Sequence, residues 1–228
     1  MTQIDPQKKL ITTARWAGIW YLLMAVSGVL GFLVFHPQIY HADPQQTLAN
    51  LTEQESIARI RLLLEFAIVV SQALTAVWFY RLFRNIDNWA AMATGIWGTV
   101  NAIVIMISAI AMASAIKIAQ SSMASDKVLS IELLNGIISH AWGVGSLFFG
   151  LWLIPLGYIV ASSKRMPVWL GRILMVGGLG YMLSAVINYS GLEFFLLEYL
   201  TFPATFGEFW MIGYLLIFGI RPGTSAGD

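Results

Sequence analysis

The stretch NWAAMATGIWGTVNAIVIMISAIAMASAI, residues 88–116, contains no Asp, Glu, Lys or Arg from end to end. A helix needs about 20 predominantly apolar residues to cross the hydrocarbon core of a bilayer, and this stretch exceeds that length. Working outward in both directions, further stretches pass the same test, placing spans at 14–36, 57–82, 88–116, 131–160, 168–189 and 203–220. Composition agrees. Of 228 residues, 58% are apolar and 11% charged, against roughly 45–50% and about 25% in an ordinary soluble domain. A globule of this size exposes too much of its surface to hide such an apolar load. A soluble enzyme and a disordered chain are both excluded. The expected fold class is all-α: a single transmembrane domain over residues 1–228, a polytopic bundle of six transmembrane helices.

The first span follows Lys8 and Lys9, as a signal peptide would follow its basic region. Its apolar run is too long for such a peptide and no small-x-small cleavage site follows, so a retained helix is expected. Basic residues set the orientation. Lys8, Lys9, Arg15, Arg81, Arg84, Lys164, Arg165, Arg172 and Arg221 fall on one side, and Arg59, Arg61, Lys117 and Lys127 on the other. The positive-inside rule then puts both termini in the cytoplasm. Acidic residues of the opposite loops, Asp43, Glu53, Glu55, Asp126, Glu132, Glu193 and Glu198, are consistent with this. Aromatic residues mark the two interfaces, Trp16, Trp78, Trp89 and Trp169 at the inner one and Tyr40, Tyr189 and Tyr199 at the outer one. The formal net charge of +1 offers no basic face for nucleic acid. With no cysteine, disulfides, thiolate metal sites and cysteine nucleophiles are all ruled out.

The longest loop, 37–56, lies outside and carries capping signals. Asp43-Pro44-Gln45-Gln46 supplies an N-cap, a proline at N1 and a Gln at N3, so a short surface helix is expected over 44–51. Thr52-Glu53-Gln54-Glu55 reads as a capping box opening the second span, with Glu55 and Arg59 paired at i,i+4. Asn85, Asp87 and Asn88 form an inner turn, Ser125 is the expected cap of span four, Pro167 suits N1 of span five, and Pro203 sits in the first turn of span six. Pro155 lies inside span four and is expected to kink it.

Span four also has the clearest periodicity: Gly136, Gly143, Gly150 and Gly157 recur every seven residues, and Gly171, Gly178 and Ala185 continue the theme in span five. Lipid gives helices no hydrophobic reason to associate, so small residues that let backbones approach become the packing signal. Span four is expected to pack along this seam against span five.

Ionisable residues at membrane depth cost at least ~2.5–3.5 kcal/mol each. Glu65, His140 and Glu208 stand out, on spans two, four and six. At ~1.5 Å per residue they lie roughly 7, 13 and 9 Å below the outer boundary. Arg61, Glu65 and Gln72 make a polar stripe on span two, Asn135 accompanies His140, Asn188 ends span five at the same level, and Asn101 lies deeper. The functional reading is a polar pocket in the outer half, lined by Arg61, Glu65, Gln72, Asn135, His140, Asn188 and Glu208. Glu65, His140 and Glu208 have the donor types for a divalent metal or a proton relay. The structural reading pairs Arg61 with Glu65 and has His140 hydrogen-bond Glu208 or a neighbouring carbonyl, tying the bundle together. His36 and His41 flank the outer loop as weaker additions. Gly143-x-Gly145-Ser146 is similar to a serine-nucleophile turn but lies on a helix, and paired axial histidines for haem are lacking at membrane depth.

The stretch His140-Ala141-Trp142-Gly143 through Leu147-Phe148-Phe149-Gly150-Leu151 continues into Leu156-Gly157-Tyr158, Ser162-Ser163, Pro167, Leu170-Gly171 and Gly177-Gly178-Leu179-Gly180-Tyr181. Together with Ala14-Arg15-Trp16-Ala17-Gly18-Ile19-Trp20-Tyr21-Leu22, the Tyr80-Arg81-Leu82-Phe83-Arg84 end of span two, and Pro203-Ala204 with Glu208 before Leu215-Leu216-Ile217-Phe218-Gly219, it resembles domain-of-unknown-function family 4386. The block 140–181 is the most specific. The resemblance implies a bacterial polytopic membrane protein and brings no reaction with it.

Three functions remain open: a small-molecule- or lipid-binding or accessory subunit protein, an intramembrane enzyme built on Glu65, His140 and Glu208, or a small proton-coupled carrier. Against the carrier, no inverted repeat and no matched pair of broken helices is present. Membrane lipids, and a protein partner or second copy, are the expected partners, in the cytoplasmic (inner) membrane.

Overall fold

The computed structural model describes residues 5–122, 126–192 and 194–222, the side chain of Glu198 aside. Its elements are α1 (Pro6–Val29), a π-helical segment (Leu30–Phe35), α2 (His36–Ile39), α3 (Pro44–Glu53), α4 (Glu55–Phe83), α5 (Asn88–Gln120), α6 (Lys127–Ser163), α7 (Val168–Ser190), a 3₁₀ segment (Leu197–Thr201) and α8 (Phe202–Ile217). All the regular elements among the described residues are helical. Six helical stretches are long and apolar enough to cross a membrane: Pro6–Ile39, Glu55–Phe83, Asn88–Gln120, Lys127–Ser163, Val168–Ser190 and Tyr199–Ile217. Outward-facing side chains along them are apolar, among them Leu33, Ile110, Leu133 and Leu179, each at least 60% exposed. A water-soluble protein would not leave such faces bare. The chain is an integral, multi-pass membrane protein.

The local signals fare unevenly. Asp43 caps α3 as its carboxylate accepts from the Gln45 amide at 2.9 Å, with Pro44 at N1. The Thr52–Glu55 capping box does not form. Thr52 is inside α3, where its hydroxyl donates to the Leu48 carbonyl, and Gln54 joins α3 to α4. Glu55 and Arg59 pair as expected, the guanidinium Nε donating at 2.7 Å. Ser125, the expected cap of span four, lies outside the described residues, as does Glu193. Asp126 accepts from the Leu129 amide at 3.0 Å and caps α6. Asp87 accepts from the Ala90 amide at 3.0 Å at the start of α5. Pro167 stands one place earlier than expected, as the N-cap of α7. Pro155 lies within α6 without ending it. Gly191 (φ 74°) ends α7 and Gly219 (φ 68°) follows α8, left-handed positions that glycine fills without a Cβ penalty.

The chain forms two compact units, one of Met1–Leu22, Gln72–Asn101 and Ser146–Asp228, the other of Leu23–Ser71 and Ala102–Gly145. In the first, the glycine seam is realised. A Cβ on Gly150 would strike the Gly178 carbonyl and Met182, and one on Gly157 would strike the Gly171 carbonyl and Met175. The pairs 150–178 and 157–171 run in opposite directions along the chain, so α6 and α7 lie antiparallel in backbone contact. Gly177 and Gly180 do the same for the next neighbour, against Ala204 and the Leu200 carbonyl. Tyr21, Phe79 and Trp152 meet edge-on or tilted at 5.5–5.8 Å in the core of this unit. Its Trp16 and Trp78 rings stack at 6.1 Å, with Arg81 over Trp78 at 5.0 Å.

In the second unit the buried apolar cluster contains Ile39, Leu51, Met112, Ile116, Ile131 and Ile138. The segment 39–51 is tied to it by side chains that bond to backbone carbonyls: Asn50 to Ile39, Gln120 to Leu51, and Asn135 to His41. Gly136 departs from the seam. A Cβ there would meet nothing within 4 Å.

Candidate functional site

Arg61 and Glu65 stand one turn apart on α4 in the second unit, both with fully buried side chains. The Arg61 Nη1 donates to Glu65 Oε2 at 2.8 Å. The other carboxylate oxygen, Oε1, accepts from the Trp142 indole nitrogen at 2.9 Å. Glu65 thus has a charged and a neutral donor, one for each oxygen. An isolated buried charge costs several kcal/mol, and this pairing is what lets either group sit in an apolar bundle.

Around the guanidinium the first span breaks its regular helix. At Leu30–Phe35 the hydrogen bonds lengthen to i→i+5, and the His36 amide bonds to the Gly31 carbonyl. Such π-segments are frequent at functional sites. Here it brings Gly31 against Arg61, where a Cβ would lie 3.3 Å from Nη1. It also lays the Phe32 ring 4.7 Å from the guanidinium carbon, a cation–π contact worth ~2 kcal/mol or more when desolvated. Phe32 meets Trp142 edge-on at 4.5 Å, and the His36 ring stacks on Tyr40 at 4.8 Å. Tyr40, just past the span, is within electrostatic reach of both Arg61 and Glu65. Burial pushes its phenol up, Arg61 opposes this and Glu65 adds to it, so the hydroxyl keeps its proton.

The donors and acceptors of this cluster do not balance. Arg61 Nε and Nη2, the Tyr40 hydroxyl and His36 Nδ1 are all buried without a hydrogen-bond partner. Buried polar atoms are nearly always satisfied. Four unsatisfied atoms on three side chains, one of them the buried Arg61 cation, mark the cluster as a candidate site.

Sequence-predicted residues distribute as follows. Arg61 and Glu65 come together. Asn135 belongs to the same unit but is engaged with the His41 carbonyl at 3.0 Å. His140 is exposed and lines an open groove of about 700 Å³ with Val104, Ile107, Glu132, Gly136 and Val144. The reason is angular. Residues two apart on a helix point about 200° apart, so the face of α6 that turns Trp142 to Glu65 turns His140 away. In the other unit, Gln72 donates to the Gly98 carbonyl at 3.3 Å while its own carbonyl oxygen has no partner. Asn101 in that unit is buried with both side-chain polar atoms unpaired. Asn188 is exposed near the end of α7. Glu208, in that unit, accepts from the Tyr21 hydroxyl at 2.6 Å. No three His, Asp or Glu among the described residues converge on a metal position, so Glu65, His140 and Glu208 do not form one.

The residues that sequence reasoning missed are Gly31, Phe32, Tyr40 and Trp142, with His36 given a minor role it exceeds. The available signal was Arg61 itself, a cation at membrane depth with one obvious counter-ion and five N–H donors.

Comparison with known proteins adds family rather than reaction. A 69-residue stretch is 32% identical to an uncharacterized protein of Archaeoglobus fulgidus, covering 30% of this chain and 43% of that protein. The chain therefore spans less than half the length of the curated relative it matches. No solved structure matches it. The model of a domain of unknown function, DUF4386, matches residues 16–219, and the chain, with its six apolar helices, belongs to that family.

Proposed function

We propose that this protein binds a small molecule inside the membrane, at the cluster of Arg61, Glu65, Trp142, His36 and Tyr40. The observation that carries the reading is the set of buried, unpartnered polar atoms around Arg61. A purely structural tie would be served by the Arg61–Glu65 bond alone. It gives no reason to bury two further guanidinium nitrogens, a hydroxyl and a ring nitrogen with no acceptor or donor to meet them. A ligand that brings those partners removes the cost.

Native mass spectrometry of the full chain, gently solubilised in an uncharged maltoside, tests this. The wild type should carry a stoichiometric adduct, and an Arg61→Met/Glu65→Leu double variant should lack it. A bare wild-type chain, or an adduct that the double variant keeps, overturns the reading.

The proposal places the protein in the cytoplasmic membrane with both termini inside and the Arg61 cluster in the outer half, supported by the distribution of Lys and Arg. Because the chain has no cysteine, single cysteines report side directly. One at Thr12 is expected to stay protected from an impermeant maleimide in intact cells, and one at Gln46 to react. The opposite pattern reverses the topology.

A further inference from the structure

We infer that the ligand of the Arg61 cluster is an oxyanion, a carboxylate or phosphoryl group held on the Nε/Nη2 edge of the guanidinium. This rests on the binding function proposed above and names its chemistry. In a planar guanidinium, Nε–H and one Nη2–H project in parallel from the same edge, the fork that matches two oxygens of a carboxylate or phosphate. Arg61 spends Nη1 on Glu65 and leaves that edge, Nε and Nη2 together, without a partner, on a side chain that is fully buried.

The surroundings fix the guanidinium in place for such a role. Phe32 covers one face at 4.7 Å, Gly31 permits close backbone approach at Nη1, and Glu65 is itself held by Trp142 at 2.9 Å. A positioned fork loses little conformational entropy on binding. The groups nearby that also lack partners include the Tyr40 hydroxyl, a donor that stays protonated and adds no negative charge. Glu65 is the one carboxylate in the cluster, and its two oxygens are already occupied. It tempers the site, because its charge offsets that of Arg61 and limits how tightly an anion is held.

The test is thermal unfolding of the full-length protein in maltoside micelles. Sodium phosphate and sodium acetate are compared with sodium chloride at equal ionic strength, and in a second arm the micelles are doped with phosphatidylglycerol. Ligand that binds only the folded state raises its unfolding temperature. The wild type should gain several degrees from an oxyanion over chloride. Arg61→Lys, which keeps the charge but loses the fork, should lose that gain, and Glu65→Gln should enlarge it. A gain from the soluble anions assigns a free small molecule, and a gain confined to the doped micelles assigns a lipid headgroup. Equal shifts in wild type and Arg61→Lys, or no shift in either arm, overturn the inference. If Arg61→Lys does not fold, the Arg61→Met/Glu65→Leu double variant takes its place with the same expectation. An adduct in native mass spectra that depends on Arg61 and Glu65, without any response to oxyanions, would leave the binding function standing and remove its oxyanion chemistry.

Discussion

Glu65→Leu should destabilise the protein by about 3–5 kcal/mol, the range for removing one partner of a buried ion pair and leaving the other charge uncompensated. Both side chains are fully buried and the bond between them is 2.8 Å, so no solvent is at hand to take over. The Trp142 indole N–H loses its acceptor in the same step, and stranding a buried donor costs about 1–3 kcal/mol of its own. The double variant Arg61→Met/Glu65→Leu, which removes both charges, should recover most of that loss, because buried pairs exchanged for packed apolar groups are often neutral or better. Denaturant or thermal unfolding in maltoside micelles measures both. A loss below about 1 kcal/mol for Glu65→Leu would mean that the carboxylate is hydrated rather than buried. The two effects are linked to the ligand: adding an oxyanion should restore part of the stability of Glu65→Leu, since it supplies the missing negative charge to Arg61.

Gly178→Val is the second large effect, and its origin is steric. A Cβ at 178 would lie 2.8 Å from the Gly150 carbonyl oxygen and 2.9 Å from the Ile154 side chain. The carbonyl belongs to helix backbone and cannot rotate away. Overpacking typically costs 1–3 kcal/mol and occasionally more, and valine adds two methyls beyond that Cβ. The reciprocal contacts at Gly150, Gly157 and Gly171 mean that α6 and α7 must separate along this length. Gly136→Ala is the matched control. Nothing lies within 4 Å of its Cβ, so alanine should be tolerated and add up to about 1 kcal/mol through helix propensity. Comparable losses in Gly178→Val and Gly136→Ala would contradict the seam.

The fold was legible because membrane solvation imposes a coarse rule. Uncharged runs such as 88–116 must be helical to satisfy their backbone in lipid, and α5 covers that run at Asn88–Gln120. The glycine repeat also showed through, since backbone approach needs small residues at fixed spacing. It did so at Gly150 and Gly157 and not at Gly136, where no neighbour lies within 4 Å of a Cβ. The capping box at Thr52–Glu55 failed for a related reason: Thr52 had a nearer carbonyl, that of Leu48, inside a helix that ran past the expected end.

The pairing of Arg61 with Glu65 was legible in the sequence, and the direction in which each helix turns its polar side chains was not. Depth follows from counting residues, which is how Glu65, His140 and Glu208 are expected near one level. Azimuth follows from which face each helix buries, and a helix apolar on every side does not declare it. His140 and Trp142 differ by two residues, and that difference decides which of them meets Glu65. The π-segment at Leu30–Phe35 was hidden too. It coincides with the contacts of Gly31 and Phe32 with Arg61 and has no local sequence signature.

The Nε/Nη2 edge of Arg61 is proposed as a binding surface and not an internal tie. An experimental structure of the protein from native membranes, determined with a bound antibody fragment at a resolution that separates side-chain atoms, decides between the two. Non-protein density bridging Nε and Nη2 at hydrogen-bond distance, with Nη1 still on Glu65, is the predicted result. Nε and Nη2 both bonded to carbonyl or side-chain oxygens of the protein would contradict it.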